Sequence, residues 1–159
     1  MLDCGCGGGA NIKTLLKLCP NGKVQGIDYS AVSVEKARKV NARAIAAGRC
    51  AVQQASVAEL PFEAEQFDVV TAFETVYFWP ELAQNFREVY RVLKPGGIFF
   101  ICNEANGETT KDDKWTQIID GMTIYTDTAL KGYLEQAGFC QIQSHKNKKG
   151  WLCVTAQKR

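Results

Sequence analysis

Apolar and polar positions follow two periods along this chain, and the switches between them divide it into strand-like and helix-like stretches. Residues 10–19 carry apolar side chains at Ile12, Leu15, Leu16 and Cys19, the spacing of one helical face, and stop at Pro20-Asn21-Gly22. Residues 24–27 predict a short strand that ends at Asp28. Ser30 stands where it caps a helix that Gly48 closes, with Val32, Val34, Ala37, Val40, Ala44 and Ile45 on the apolar side. Residues 50–55 predict a third, weaker strand. Residues 67–73 (FDVVTAF) are almost continuously apolar, as a strand covered on both faces requires. Residues 81–93 predict a helix with Leu82, Phe86, Val89, Tyr90, Val92 and Leu93 turned inward. Lys94-Pro95-Gly96-Gly97 stops it, and residues 98–102 (IFFIC) predict the next core strand.

The rhythm then changes. Residues 103–113 are polar, with Asn106-Gly107 as a turn signal. Residues 115–122 predict a short helix, and Thr126 caps another that runs to Ala137 and ends at Gly138. Residues 139–145 and 151–156, joined by 146–150, predict a closing antiparallel hairpin. Strands alternating with helices imply an α/β fold: a mostly parallel sheet with helices on both faces, finished by the hairpin. At 159 residues the expectation is one domain, residues 1–159.

Composition narrows the class. Hydrophobic residues make up 46% and charged residues 23%, which fits a globular chain, and no apolar run is long enough to span a bilayer. A net charge of +2 argues against nucleic acid as a partner. Lys146, Lys148, Lys149, Lys158 and Arg159 read as a solvated hairpin and tail. The seven cysteines are an odd count, set mostly in apolar or glycine-rich runs, so reduced, buried thiols in the cytoplasm are expected. Cys4-Gly5-Cys6 lacks a second ligand pair at zinc spacing and His145 is the lone histidine, so no metal site is expected.

The chemistry begins at Asp3-Cys4-Gly5-Cys6-Gly7-Gly8-Gly9. Glycines between a strand and a helix let the backbone approach a ligand, and the helix start behind them presents free N–H groups to an anionic group. Asp28 ends the second strand, 19 residues after Gly9, where a carboxylate accepts from both hydroxyls of a ribose or, more plainly, opens the turn capped by Ser30. Together they point to an adenosine-containing cofactor, with dinucleotides and S-adenosylmethionine both open.

These residues resemble the Rossmann-like, class I S-adenosylmethionine-dependent methyltransferases. DCGCGGG matches their D-x-G-x-G-x-G loop. Gly26-Ile27-Asp28-Tyr29-Ser30, Glu59-Leu60-Pro61-Phe62, Phe67-Asp68-Val69-Val70, Val92-Leu93-Lys94-Pro95-Gly96-Gly97 and the LEQAGF run at 134–139 follow in the family's order. The match covers nearly the whole chain and is most similar to the small-molecule subgroup that includes quinone-biosynthesis methyltransferases. The resemblance implies S-adenosylmethionine as cofactor, a small-molecule acceptor and in-line methyl transfer. It implies that Asp3, Gly5, Cys6, Gly7 and Gly9 surround the methionine half, that Asp28 holds the ribose diol, and that Tyr29 lies along the adenine. Ser56 and Val57 fall at the adenine amino group, Ser56 replacing the family's usual acidic residue. Glu74 falls near the sulfonium. Of the aromatics in Tyr77-Phe78-Trp79-Pro80, one or two are expected at the pocket and the rest in the core. Glu74 and Tyr77 are the only candidates for a catalytic role, since alignment supplies much of this reaction. A substrate lid of Trp115 and Tyr125 stands beside simple packing for both, and His145 is expected near solvent. A homodimer is compatible with all of this.

Family members usually carry helices and the start of the first strand upstream of the glycine loop, whereas only Met1 and Leu2 precede Asp3 here. The expectation is therefore a piece of a longer enzyme, with weakened cofactor binding if the short form acts alone. Two other functions compete. Gly5-x-Gly7-x-x-Ala10 satisfies a relaxed dinucleotide fingerprint, as in a nicotinamide-dependent oxidoreductase, but no hydride-transfer signature accompanies it. The other is a non-catalytic module that binds S-adenosylmethionine. A base-methylating enzyme would carry an Asn- or Asp-Pro-Pro-aromatic motif where this chain has Glu74-Thr75-Val76-Tyr77.

Overall fold

In the computed structural model, which describes residues 1–108 and 110–159, β1 (Leu2–Cys4) leads through the glycine loop into α1 (Ala10–Leu18). β2 (Val24–Asp28) leads into α2 (Ala31–Val40) and the short α3 (Ala42–Ala46). Then come β3 (Cys50–Gln54), β4 (Phe67–Phe73), α4 (Leu82–Val92), β5 (Leu93–Asn103), α5 (Thr110–Ile118) and α6 (Asp127–Gln136). β6 (Cys140–Lys146) and β7 (Leu152–Gln157) form the hairpin. Thr109, in the polar stretch read from the sequence, lies outside the described residues.

The strands make one seven-stranded sheet in the order β3-β2-β1-β4-β5-β7-β6. β1 to β5 pair in parallel, and β7 pairs antiparallel with both β5 and β6. This is the Rossmann-like α/β sheet with a closing hairpin that the pattern predicts. The order places β1 between β2 and β4, although β1 has three residues and its neighbours five and seven. A chain crossing from one half of the sheet to the other opens a crevice at the carboxyl ends of its strands, beside β1.

Local chemistry accounts for most boundaries. Ser30 Oγ accepts from Ser33 N–H at 3.3 Å and starts α2, as expected. The single helix expected over 30–48 is instead broken at Asn41. Its side-chain amide donates to the carbonyls of Ala37 and Gly9, both at 3.0 Å, an alternative to the helical ladder that lets the chain turn into α3. α4 ends at Val92 and β5 already begins at Leu93, so Lys94–Gly97 lies within the strand instead of between helix and strand. A register shift between Phe67 and Val69 absorbs the extra residues. Lys158, expected in a solvated tail, is only 8% exposed. Its ammonium lies 4.9 Å over the Tyr90 ring and 3.7 Å from the Glu65 carboxylate.

Two apolar clusters flank the sheet. Phe86 on α4, Leu130 and Leu134 on α6, and Phe99 and Ile101 on β5 are fully buried on one side. Ile12, Leu15, Val34 and Ala37 cover β2 and β3 on the other. The aromatic centre of the first cluster is Phe99: Trp79 stacks on it at 6.2 Å and Phe86 meets it edge-on at 5.4 Å. Removing that ring takes away burial and leaves a hole between sheet and helices. Phe99→Ala is therefore expected to lower unfolding free energy by about 3–5 kcal/mol, read from denaturant midpoints. A loss below about 1 kcal/mol would mean that this cluster is not what holds the sheet to its helices.

Candidate functional site

The site forms where the strands end. Gly5 and Cys6 N–H groups both donate to the Ile27 carbonyl, at 2.9 and 2.8 Å, folding the glycine loop back onto β2. Gly7 N–H donates to Asp28 Oδ2 at 2.8 Å, and Ser30 N–H donates to Asp28 Oδ1 at 2.9 Å. Asp28 thus opens the turn into α2 while facing the loop. Gly5 has φ +75, and a Cβ there would meet Thr75 Oγ1 at 2.1 Å. Gly9 has φ +81 and would meet Asn41 Nδ2 at 2.5 Å. Neither position admits a side chain.

These ends enclose a cavity of about 550 Å³. Of the residues singled out in the sequence, Gly5, Cys6, Gly7, Asp28, Tyr29, Ser56, Val57 and Glu74 line it together. Asp3 and Gly9 do not. Asp3 lies under the loop at 1% exposed, and Gly9 is buried as the N-cap of α1. Asn11, at the end of the glycine-rich run, and Thr75, beside Glu74, also line the cavity.

Asp3 is held on one side only. Its Oδ1 accepts from the Thr71 hydroxyl at 2.8 Å, whereas buried Oδ2 has no partner among the described residues. Burial pushes its carboxyl up to about 6, against the Thr71 hydrogen bond and helped by the charge of Asp28. A buried carboxylate with an open oxygen is receptive to a cation or a donor. Burial also pushes the Cys6 thiol up to about 12, so it lines the loop as an inert thiol.

Glu74 sits just past β4 in the left-handed region, with φ 57. Its N–H donates to Cys102 O at 3.0 Å, and its carboxylate accepts from Glu104 N–H. The Tyr77 hydroxyl accepts from Ala105 N–H at 2.9 Å and lies 3.4 Å from Glu74 Oε2. Burial raises both the Glu74 carboxyl and the Tyr77 phenol above their ordinary values. Of the aromatic run, Phe78 is 48% exposed, while Tyr77 and Trp79 are buried. A second space of about 270 Å³ opens beyond, lined by Tyr77, Ala105, Trp115, Ile119 and Met122 with Glu74, Phe78 and Glu104. Glu74 and Phe78 line both spaces. His145 is exposed, and Tyr125 packs edge-on against Tyr133 at 6.0 Å, outside either cavity.

The wall carrying Ser56 and Val57 is fastened from behind. Glu88 accepts from Leu60 N–H at 2.9 Å, and Arg91 donates to the carbonyls of Leu60 and Phe62 at 2.9 and 2.7 Å. The Arg91 guanidinium also pairs with Glu88 at 2.8 Å.

Compared with known families, residues 2–101 match the methyltransferase domain model. The chain belongs to the class I S-adenosylmethionine-dependent methyltransferases. This methyltransferase domain is 30% identical over 148 residues to a cycloartenol-C-24-methyltransferase of Arabidopsis thaliana, covering 87% of the chain and 44% of that relative. It is 35% identical over 107 residues to a demethylmenaquinone methyltransferase of Symbiobacterium thermophilum, covering 67% of the chain and 42% of that relative. It thus spans less than half the length of these curated relatives. A crystal structure of an S-adenosylmethionine-dependent methyltransferase from Aquifex aeolicus superposes with TM-score 0.84 at 21% identity, covering 99% of this chain and 81% of that one. The cofactor of the family is S-adenosylmethionine. Among the described residues, no helix is long and apolar enough to cross a membrane.

Asp3 gives this methyltransferase domain a pH dependence. Its carboxyl titrates near 6 in the folded chain against 3.8 ordinarily, so between these values the folded state holds the extra proton. The stability it contributes is full below the lower value and is lost as pH rises through the upper one, by about 3 kcal/mol. Unfolding midpoints of the ligand-free protein at about pH 5 and about pH 7.5 read roughly half of this loss. Asp3→Asn is expected to lose that part of the slope and to be no less stable than the native protein at the higher pH. An unchanged slope would clear Asp3 of the effect.

Proposed function

We propose that this domain binds S-adenosylmethionine in the larger cavity and delivers its methyl group to a small, largely apolar acceptor in the adjoining one. The observation that carries the reading is the shared wall: Glu74 and Phe78 line both spaces, so two ligands would meet there. The cofactor fits what the loop offers. Backbone at Gly5 and Gly7 is bare of side chains, and the cavity has ample volume.

When bound, the cofactor supplies a sulfonium-activated methyl group. Asp28 would hold the ribose hydroxyls with the lone pairs left after its bonds to Gly7 and Ser30. Tyr29, 82% exposed at the rim, would cover the adenine, and Ser56 and Val57 would close its far edge. Glu74 would set its carboxylate beside the sulfonium, and the Phe78 face would add to that attraction. Tyr77 acts as a positioning residue. Its phenol is pushed away from ionisation, and it braces Glu74 against Ala105. Alignment of acceptor, carbon and sulfur then does most of the work.

The acceptor is read from the smaller cavity and from the relatives. Its walls are mainly apolar, and the relatives are named for a sterol precursor and a demethylmenaquinone, both apolar. A space of about 270 Å³ would hold part of such a molecule, and among the described residues no Lys or Arg lines it. The free thiols at seven positions fit a reducing compartment such as the cytoplasm.

Calorimetric titration tests the cofactor half. Saturable binding of S-adenosylmethionine is expected, with none of NADH, and Asp28→Ala is expected to weaken it about 10- to 100-fold. Preference for NADH would overturn the assignment. The acceptor half is tested by release of S-adenosylhomocysteine with apolar alkenes and hydroquinones as acceptors. Tight cofactor binding without turnover of any of them would favour a binding module over an enzyme.

A further inference from the structure

Charge is spread unevenly along the chain. Residues 10–50 hold eight Lys and Arg against two acidic residues, whereas the whole chain holds 19 against 17. Six of these eight cations, Lys13, Lys17, Lys36, Arg38, Lys39 and Arg43, stand on α1, α2 and α3. There a groove of about 550 Å³ runs between α1 and the corner joining α2 to α3. Lys13 and Lys17 line one wall, Lys39 and Arg43 the other, and no carboxylate lines it. Lys39 pairs with Glu35 at 2.6 Å, but Lys13, Lys17 and Arg43 make no ion pair among the described residues.

Such spacing is costly when left alone. Lys13 and Lys17 stand four residues apart on α1, where like charges weaken their own helix, and Lys39 and Arg43 face them from the corner between α2 and α3. An anion between the walls would offset that repulsion. Two cations on each wall exceed what one small anion can use, and match a chain of linked phosphates. Leu16, Val40 and Ala44 add apolar surface that would accept an organic portion of such a ligand.

The groove also touches the cofactor loop. Asn41 lines it, is 3% exposed, and donates from Nδ2 to the Gly9 carbonyl at 3.0 Å, while its buried Oδ1 has no partner among the described residues. One side chain therefore joins the groove to the last glycine of the loop.

We propose that this groove is a second ligand site, for a soluble molecule carrying two or more linked phosphates, and that its occupancy is transmitted through Asn41 to the cofactor site. A ligand there changes cofactor affinity, and by linkage the cofactor changes affinity for the ligand to the same degree.

Inorganic tripolyphosphate is the probe, titrated calorimetrically into the full chain at low ionic strength. Saturable one-site binding is expected, weakening as salt rises. Lys17→Gln with Arg43→Gln is expected to reduce affinity about tenfold or more, whereas Lys148→Gln with Lys149→Gln at the hairpin leaves it unchanged. Equal loss in both double variants would mean counterion condensation on a basic chain and would overturn the site. Binding to phosphatidylserine vesicles without binding of tripolyphosphate would overturn it in favour of a membrane surface. The coupling is read separately, as a shift of about threefold or more in S-adenosylmethionine affinity under saturating tripolyphosphate. An unchanged affinity would remove the link through Asn41 and leave the first titration untouched.

Discussion

Three amide hydrogen bonds from the glycine loop to the last two residues of β2 hold the site together. The Ile27 carbonyl takes two of them and the Asp28 carboxylate the third. A loop with left-handed backbone at Gly5, Gly7 and Gly9 pays heavily in lost conformational freedom. The bonds offset that cost and also aim the start of α1 across the crevice. Because Asp28 also receives Ser30 N–H, the same carboxylate sets where α2 begins. Loop, first helix and second helix are thereby placed by a single strand end.

A different device joins the two cavities. Glu74 adopts a left-handed conformation that a side chain rarely takes, and its surroundings over-determine it: Cys102 holds its N–H, Glu104 its carboxylate, and Tyr77 stands alongside. Strain of this kind persists where neighbouring structure enforces it, commonly at functional joints. Here it turns the chain from β4 toward the aromatic run. One ring, Phe78, is left at the boundary, while Trp79 is driven into the core against Phe99.

The fold was legible because its signals are local and periodic. Continuous apolar runs at 67–73 and 98–102, caps at Ser30 and Thr126, and a glycine-rich loop all act within a few residues of themselves. What escaped depended on distant partners. Nothing around Asn41 in sequence announces that its amide would seek Gly9, 32 residues away, and break a helix. The last basic residues look solvated until Tyr90 and Glu65 come beside Lys158. At the site, the residues lining the larger cavity were mostly visible, since their spacing is tied to strand ends. Asp3 and Gly9 were visible as residues but not in their placement beneath the surface. The smaller cavity was half visible: the sequence singles out Glu74, Tyr77, Phe78 and Trp115, whereas Glu104, Ala105, Ile119 and Met122 come from stretches after β5 and α5 with no periodic pattern to mark them.

The fastening of the 55–62 wall has a consequence for how the molecule comes apart. Glu88 and Arg91 reach the wall from α4, whose other face carries Phe86 and Val89 into the largest apolar cluster. This wall and the core are therefore one cooperative unit, and the wall cannot fray as a surface loop normally does. Amide exchange along Leu60 and Phe62 would report global opening. One wall of the larger cavity is thus tied to the main apolar core.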